Sequence, residues 1–464
     1  MGEVKKQWVP PRIRQCFVAM GPVLITTSLG MSEGYSSILL PQLAATNFVP
    51  TDESTSSWIA AMGALPMPLG CILGGYLMEV IGRKTIHMAA CLPCTFGWLA
   101  ICFAYNLELI LFGRFLTGLS VGLLGPPTGV YMSETSEPKF RGFLLAFISF
   151  AIAFGIFLSH LLGTFWTWQS TALFSSFFPI ICLVFMYFAP ESPTFLAKKG
   201  KIEEATKAFY WCRGYSEEAQ DELDEVIRRQ TKISNEPTKS LKETLVDLKK
   251  PEFIKPLIIL IVFFCTMQWS GNNAMSFYSV SIMRDTIGGN MDEYLSMLIV
   301  DTIRLLSSIL ACWVSKVMGR RPLMIVSGFG TSISLFVLAG FSFTTQFYPE
   351  VSTYVAIPLT AMVTYMTFLT VGLVPLPWTM MGEVFPLANR GIGSAISSMV
   401  NYGMIFVVVK LTPGMFLNLG THGTFFTYGI CTCLGIILLI FFLPETKDKP
   451  LHVIEDHFKS KPKH

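Results

Sequence analysis

The sequence predicts an all-α membrane protein with twelve transmembrane helices in two six-helix bundles and short amphipathic helices on the cytoplasmic side. Three observations carry that expectation. The 464 residues are 52% hydrophobic and only 14% charged, with 38 Phe and a mean hydropathy of +0.53, whereas soluble chains hold about 25% charged residues. Apolar runs recur along the chain at lengths that suit a bilayer crossing, for which about 20 residues suffice. The basic residues are segregated: with twelve crossings, 30 of the 34 Lys and Arg fall on the side of the two termini. By the positive-inside rule both termini are therefore expected in the cytoplasm.

Taken in order, Lys5, Lys6, Arg12 and Arg14 precede the first apolar run, and no signal-peptide cleavage pattern accompanies them. Spans are expected near 17–40, 57–79, 86–105, 109–131, 143–164 and 170–189. A second set is expected near 257–280, 293–315, 322–345, 352–381, 392–414 and 424–443. These divide the chain into a bundle over 1–189, a linker over 190–256, a bundle over 257–443 and a tail over 444–464. The linker is highly charged, and KIEEATKAFYWCRG and EEAQDELDEVIRR carry helical spacing, so short amphipathic helices are expected there.

The polar exceptions inside the spans point to function. Glu33 lies deep in the first span, where a carboxylate is costly; it has a quiet reading as a partner of Arg114 and a functional one in ion coupling. Between 255 and 278 the chain runs KPLIILIVFFCTMQWSGNNAMSFY, apolar at first and then rich in amides and hydroxyls. Uncharged hydrogen-bonding groups in lipid need partners, and neutral amides suit a polyhydroxylated ligand better than an ion. Gly271 is expected to loosen the helix there, as in the broken helices of transporters.

The chain also repeats itself. GGYLMEVIGRK, with Gly74 and Gly75 for close helix approach, is echoed by KVMGRR six spans later. YMSE with Arg141-Gly142 is echoed by Gly382-Glu383 with Arg390-Gly391, and PESP by PET. Three pairs in register imply two homologous halves.

GGYLMEVIGRK, GRFLTG, YMSETSEPKFRG, PESPTFL, QWSGNNAMSFY, GRRPL, PLPWTMMGEVFPLANRG and PETK resemble, in order and along essentially the whole chain, the signatures of sugar porters in the major facilitator superfamily. Within that family the chain is most similar to the insect facilitated trehalose transporters. The resemblance implies the major facilitator fold and one central site reached alternately from either side. It places sugar binding on Gln268, Asn273, Tyr278, Trp378, Asn401 and Ser149. Amides both donate to and accept from sugar hydroxyls, and an indole offers a platform for a ring's C–H face. It places a gating latch on Glu79, Arg83, Glu134, Arg141 and Glu191 in one half and Arg320, Glu383, Arg390 and Glu445 in the other.

Departures from the family pattern qualify the cargo. Ser149 and Met267 stand where the family has glutamines, Phe277 replaces the first of two aromatics, and Tyr402 stands where many members have Trp. Arg304 replaces an asparagine and is expected to face the cavity or a carboxylate such as Asp301 or Glu33. Lys316 and Asp448 depart from the second half's pattern, so its latch is expected to be wired differently. Proton-coupled relatives carry an aspartate where this chain has Ser36, which argues for facilitated diffusion, while Glu33 one turn earlier keeps a symporter open.

The reading is a plasma-membrane sugar uniporter carrying trehalose or a related hexose, working as a monomer in the lipid bilayer. The alternatives are a proton-coupled symporter using Glu33 and a sugar sensor that does not transport. No cofactor, metal or nucleic-acid partner is expected. The Cys91/Cys94 and Cys431/Cys433 pairs lie in predicted spans and read as packing residues. The six histidines are scattered and no catalytic constellation is apparent, which argues against an enzyme.

Overall fold

The computed structural model describes residues 10–49, 52–235, 248–287, 291–385, 389–447, 449, 454 and 458. Lys5, Lys6, Asp448, part of the linker and most of the tail lie outside them. Among the described residues the chain is built of helices, eleven of them long and apolar enough to cross a membrane. The last, Arg390–Phe442, runs for 53 residues and contains Gly420 at φ 70° and ψ 175°. That left-handed position, open to glycine at little cost, splits it into arms over 390–419 and 421–442, each long enough to span. The total is twelve crossings, as expected.

Crossing one is Pro11–Thr46, crossing three Arg83–Cys102, crossing four Leu107–Thr135, crossing five Pro138–Phe165 and crossing six Trp168–Phe188. Crossing eight is Glu293–Val317 and crossing nine Arg320–Phe347. Their starts are set by caps: Asn106, Thr167 and Asp292 side chains accept from the N–H groups of Leu109, Ser170 and Leu295. Proline opens the helices at Pro11 and Pro138, where its missing N–H is not needed.

Three crossings are broken, and one break was expected. Crossing two divides into Glu53–Met62 and Met67–Val80, which the hydropathy pattern does not show. Crossing seven divides into Pro251–Trp269 and Asn272–Phe277 at Gly271, whose φ of 83° fits the loosening read from the sequence. Crossing ten is interrupted by a π-helical turn at Leu369–Leu373, between Ala356–Phe368 and Pro375–Val384. A π-turn inside an α-helix commonly accompanies a functional site.

The first six crossings pack chiefly on one another, as do the last six. Crossing three packs on four, and one on five; crossing nine packs on the final helix, which also receives crossing seven. Gly74 permits the approach: a Cβ there would collide with the backbone of Leu123. Gly75 meets only Pro126, so the close contact belongs to the first of the two glycines. The outer surface carries Phe96, Phe177, Val184, Ile309, Trp313 and Phe441, all exposed. Apolar side chains on the outside of a helical bundle are what lipid requires.

The linker forms Pro193–Lys198, Ile202–Arg213 and Glu217–Asn235. The second of these is amphipathic, burying Ala205, Ala208, Phe209 and Cys212. It is tied to the start of crossing one: Arg14 Nη1 donates to Trp211 O at 3.2 Å and Gln15 Nε2 to Cys212 O at 3.3 Å. This end of the molecule, with the Gly-Arg turns, is called the basic end below, and the opposite one the far end.

Candidate functional site

The break in crossing seven sets out three amides. Asn273 Nδ2 donates to Gln268 Oε1 at 2.6 Å, and Gln268 Nε2 donates to Asn401 Oδ1 at 2.7 Å. Exposures of 3%, 1% and 2% put all three inside the protein, in reach of both halves of the broken helix and of the final long helix. Each amide can both give and accept, so the relay can open to sugar hydroxyls and close again with no group left bare. The break itself is pinned: Tyr365 OH, from crossing ten, donates to Ser270 O at 2.8 Å.

Around the relay, Trp378 is half-buried, with its ring 5.1 Å from Phe264 edge-on and 6.5 Å from Tyr402. Tyr278 is buried, and its hydroxyl donates to Val409 O at 2.8 Å. That bond fixes the broken segment to the final helix. Met267 and Phe277 are buried, at 3% and 0% exposure.

Two arginines lie buried inside the spans, and among the described residues only one of them meets a carboxylate. Arg114, fully buried, donates to Ser32 O and Ser36 Oγ, both at 2.7 Å. The carboxylate pairing with Glu33 offered as its quiet reading is not made; a serine hydroxyl and backbone carbonyls satisfy it instead. Arg304 Nη1 donates to Ser276 Oγ at 2.8 Å and lies 3.8 Å from Asp301 Oδ1. Glu33 is half-buried and senses the charge of Arg304, with no ion pair to it among the described residues.

At the basic end the two halves are wired alike. Arg83 pairs with Glu79 at 2.8 Å and Glu134 at 3.1 Å, while Glu191 accepts from the N–H groups of Arg83 and Lys84. Arg320 pairs with Glu383 at 2.9 Å, while Glu445 accepts from the N–H groups of Arg320 and Arg321. Ser192 bonds Glu134 as Thr446 bonds Glu383. Among the described residues, which exclude Asp448, the different wiring expected of the second half comes down to one missing acid, at Lys316. The remaining latch arginines stand apart: among the described residues no carboxylate lies within ion-pair distance of Arg141 or Arg390. Their Nε atoms are buried without a hydrogen bond to any described residue.

Residues 25–458 match the Sugar (and other) transporter family. The chain belongs to that family. Facilitated trehalose transporter Tret1 of Apis mellifera ligustica is 32% identical over 447 residues, covering 96% of this chain and 88% of its own length. Tret1 of Drosophila grimshawi is 32% identical over 443 residues, 95% of this chain but 47% of its own, so the chain spans about half of that relative. Among solved structures, the major facilitator superfamily proton:xylose symporter XylE bound to 6-bromo-6-deoxy-D-glucose aligns with a TM-score of 0.77 at 21% identity, over 97% of this chain and 100% of that one. That likeness shows the fold.

In this member of the family the structure gathers Gln268, Asn273 and Asn401, with Tyr278 and Trp378 beside the same helices. Ser149 is not brought to them: it is exposed on crossing five, and no hydrogen bond joins it to the amides among the described residues. Sequence reasoning missed Tyr365, which locks the break, and Tyr428, whose ring packs against Gly271 and whose hydroxyl bonds Thr412 at 2.8 Å. It also missed His160, which meets Asp301 across the two halves. A lone histidine in an apolar span carries no signal of its partner.

Proposed function

We propose that this transporter moves trehalose or a related hexose by facilitated diffusion across the plasma membrane, with both termini in the cytoplasm and the monomer as the working unit. The observation that carries the reading is the buried relay Asn273–Gln268–Asn401 at the break of crossing seven. It offers neutral donors and acceptors, which hydroxyls need and ions do not. The trehalose transporters among its relatives support the choice of cargo.

Uniport is favoured by Ser36, whose hydroxyl takes Arg114 at 2.7 Å where proton-coupled relatives carry an aspartate. Glu33, half-buried beside this serine on crossing one, is the observation that supports a symporter. Gln268→Ala and Asn273→Ala are expected to abolish uptake of labelled sugar with surface expression unchanged, since each strands buried amide groups of its neighbour. Unchanged uptake kinetics would remove these residues from the site. A panel of labelled trehalose, glucose and fructose identifies the cargo. Uptake is expected to persist with a protonophore; its collapse, together with uncoupling by Glu33→Gln, would make the protein a symporter. Purified protein in liposomes should equilibrate the sugar, which a sensor would not do.

A further inference from the structure

At the far end of crossings five and eight lies a charged cluster that sugar recognition leaves unused. His160 and Asp301 are 0% and 2% exposed, one from each half of the molecule. His160 Nδ1 lies 2.5 Å from Asp301 Oδ2, and Nε2 lies 3.0 Å from Gly34 O. A carbonyl oxygen only accepts, so Nε2 must carry hydrogen. A neutral imidazole has a single N–H, which would leave Nδ1 bare against a bare carboxylate, lone pair facing lone pair. The short contact therefore requires one further proton, on Nδ1 or on Oδ2. Either placement gives a net-neutral pair holding one dissociable proton.

The surroundings do not supply a substitute. Arg304 lies on the other carboxylate oxygen at 3.8 Å, and Glu33 senses Arg304 from crossing one. Arg114, from crossing four, is taken by Ser32 and Ser36. The hydroxyls of Tyr278 and Tyr365 are given to Val409 O and Ser270 O, and that of Tyr35 to Trp168 O at 2.7 Å.

The pair belongs to a set of ties that join the halves at the far end. Ser37 Oγ accepts from Val280 N–H at 3.0 Å, and Lys410 Nζ donates to Ser57 Oγ at 2.7 Å while lying 4.0 Å from the Trp58 ring. Admitting substrate from that side requires these contacts to part. Once water reaches His160, the short contact is gone and nothing in the geometry obliges the pair to keep the proton.

We propose that the proton held between His160 and Asp301 fastens the far end shut, so that the transporter is a uniporter gated by the pH of the far-side medium. The proton leaves and returns on the same side, so none is carried across. The sign follows: the closed form holds a proton that the open form need not keep, so acid on the far side favours closure and rising pH weakens it, by at most about tenfold per unit for one proton. The proposal rests on the alternating-access reading above and deepens it.

The test uses the full chain with Ser37→Cys as a reporter of far-end opening. Its labelling by a membrane-impermeant methanethiosulfonate is compared with that of Thr353→Cys, an exposed far-end control, between pH 6.5 and 8.5. The ratio is expected to climb several-fold across that range, and His160→Gln or Asp301→Asn is expected to flatten it. A ratio independent of pH, or a His160→Gln protein that keeps the slope, overturns the proposal. If neither variant reaches the membrane, the slope of the otherwise native protein still decides. Loss of all sugar uptake with the slope intact would sink the sugar reading and leave the proton gate standing.

Discussion

Gly271 shows how one residue makes a site possible. Its φ of 83° lets the helix stop after Trp269 and restart at Asn272, which turns Asn273 back towards Gln268. A Cβ at this position would be strained by the backbone and would lie 2.9 Å from Tyr428 Cδ2. Gly271→Ala is expected to lower stability by about 1–2 kcal/mol through the left-handed strain alone, read as a fall in thermal midpoint in detergent. Sugar uptake should fall further than stability does, because the amide relay depends on the break. The amides were legible in the sequence because hydrogen-bonding side chains stand out in an apolar run. His160 was not, because its partner Asp301 lies 141 positions away and only tertiary packing brings crossing five to crossing eight.

At the scale of helices, the two Gly-Arg turns are copies of one device with unequal loads. Arg83 holds two carboxylates and is 6% exposed, whereas Arg320 holds one and is 15% exposed. Removing a buried partner leaves an uncompensated charge, costing about 3–5 kcal/mol where burial is complete. Arg83→Ala is therefore expected to lower the thermal midpoint more than Arg320→Ala, since it strands the largely buried Glu134. Equal losses would mean that the extra acid contributes nothing. Glu445 supplies a second handle. Burial pushes its carboxyl up, but N–H groups of Lys447, Arg320, Arg321 and Thr446 together outweigh that and hold it below the ordinary carboxylate range. Its contribution is thus present above that range and lost as pH falls through the lowered value. Glu445→Gln is expected to reduce the acid sensitivity of the thermal midpoint, with Lys316→Ala leaving it unchanged. The repeat itself was plain in the sequence, yet Lys316 misled: it removes an accessory acid, while the principal partner of the arginine is Glu383, 63 positions on. The break in crossing two was equally hidden, because its apolar run continues across the turn.

For the molecule as a whole, the halves are tied at the far end through Ser37, Lys410 and His160, while among the described residues no ion pair at the basic end joins one bundle to the other. Arg141 and Arg390 occupy matching places in the two halves, each with a buried Nε that no acceptor meets among the described residues. Buried donors of that kind cost free energy until a partner arrives. In a carrier that alternates, the partner is expected when the basic end closes and the far end opens, so these arginines should stabilise the opposite state and not the one described here. Arg141→Ala and Arg390→Ala are accordingly expected to leave the thermal midpoint nearly unchanged while slowing uptake, about tenfold for each 1.4 kcal/mol lost from the opposing state. The Ser37→Cys reporter should then label more slowly at every pH, since the population shifts towards the closed far end. A fall in thermal midpoint as large as that of Arg83→Ala, with labelling unchanged, would instead assign both arginines to holding the present shape together.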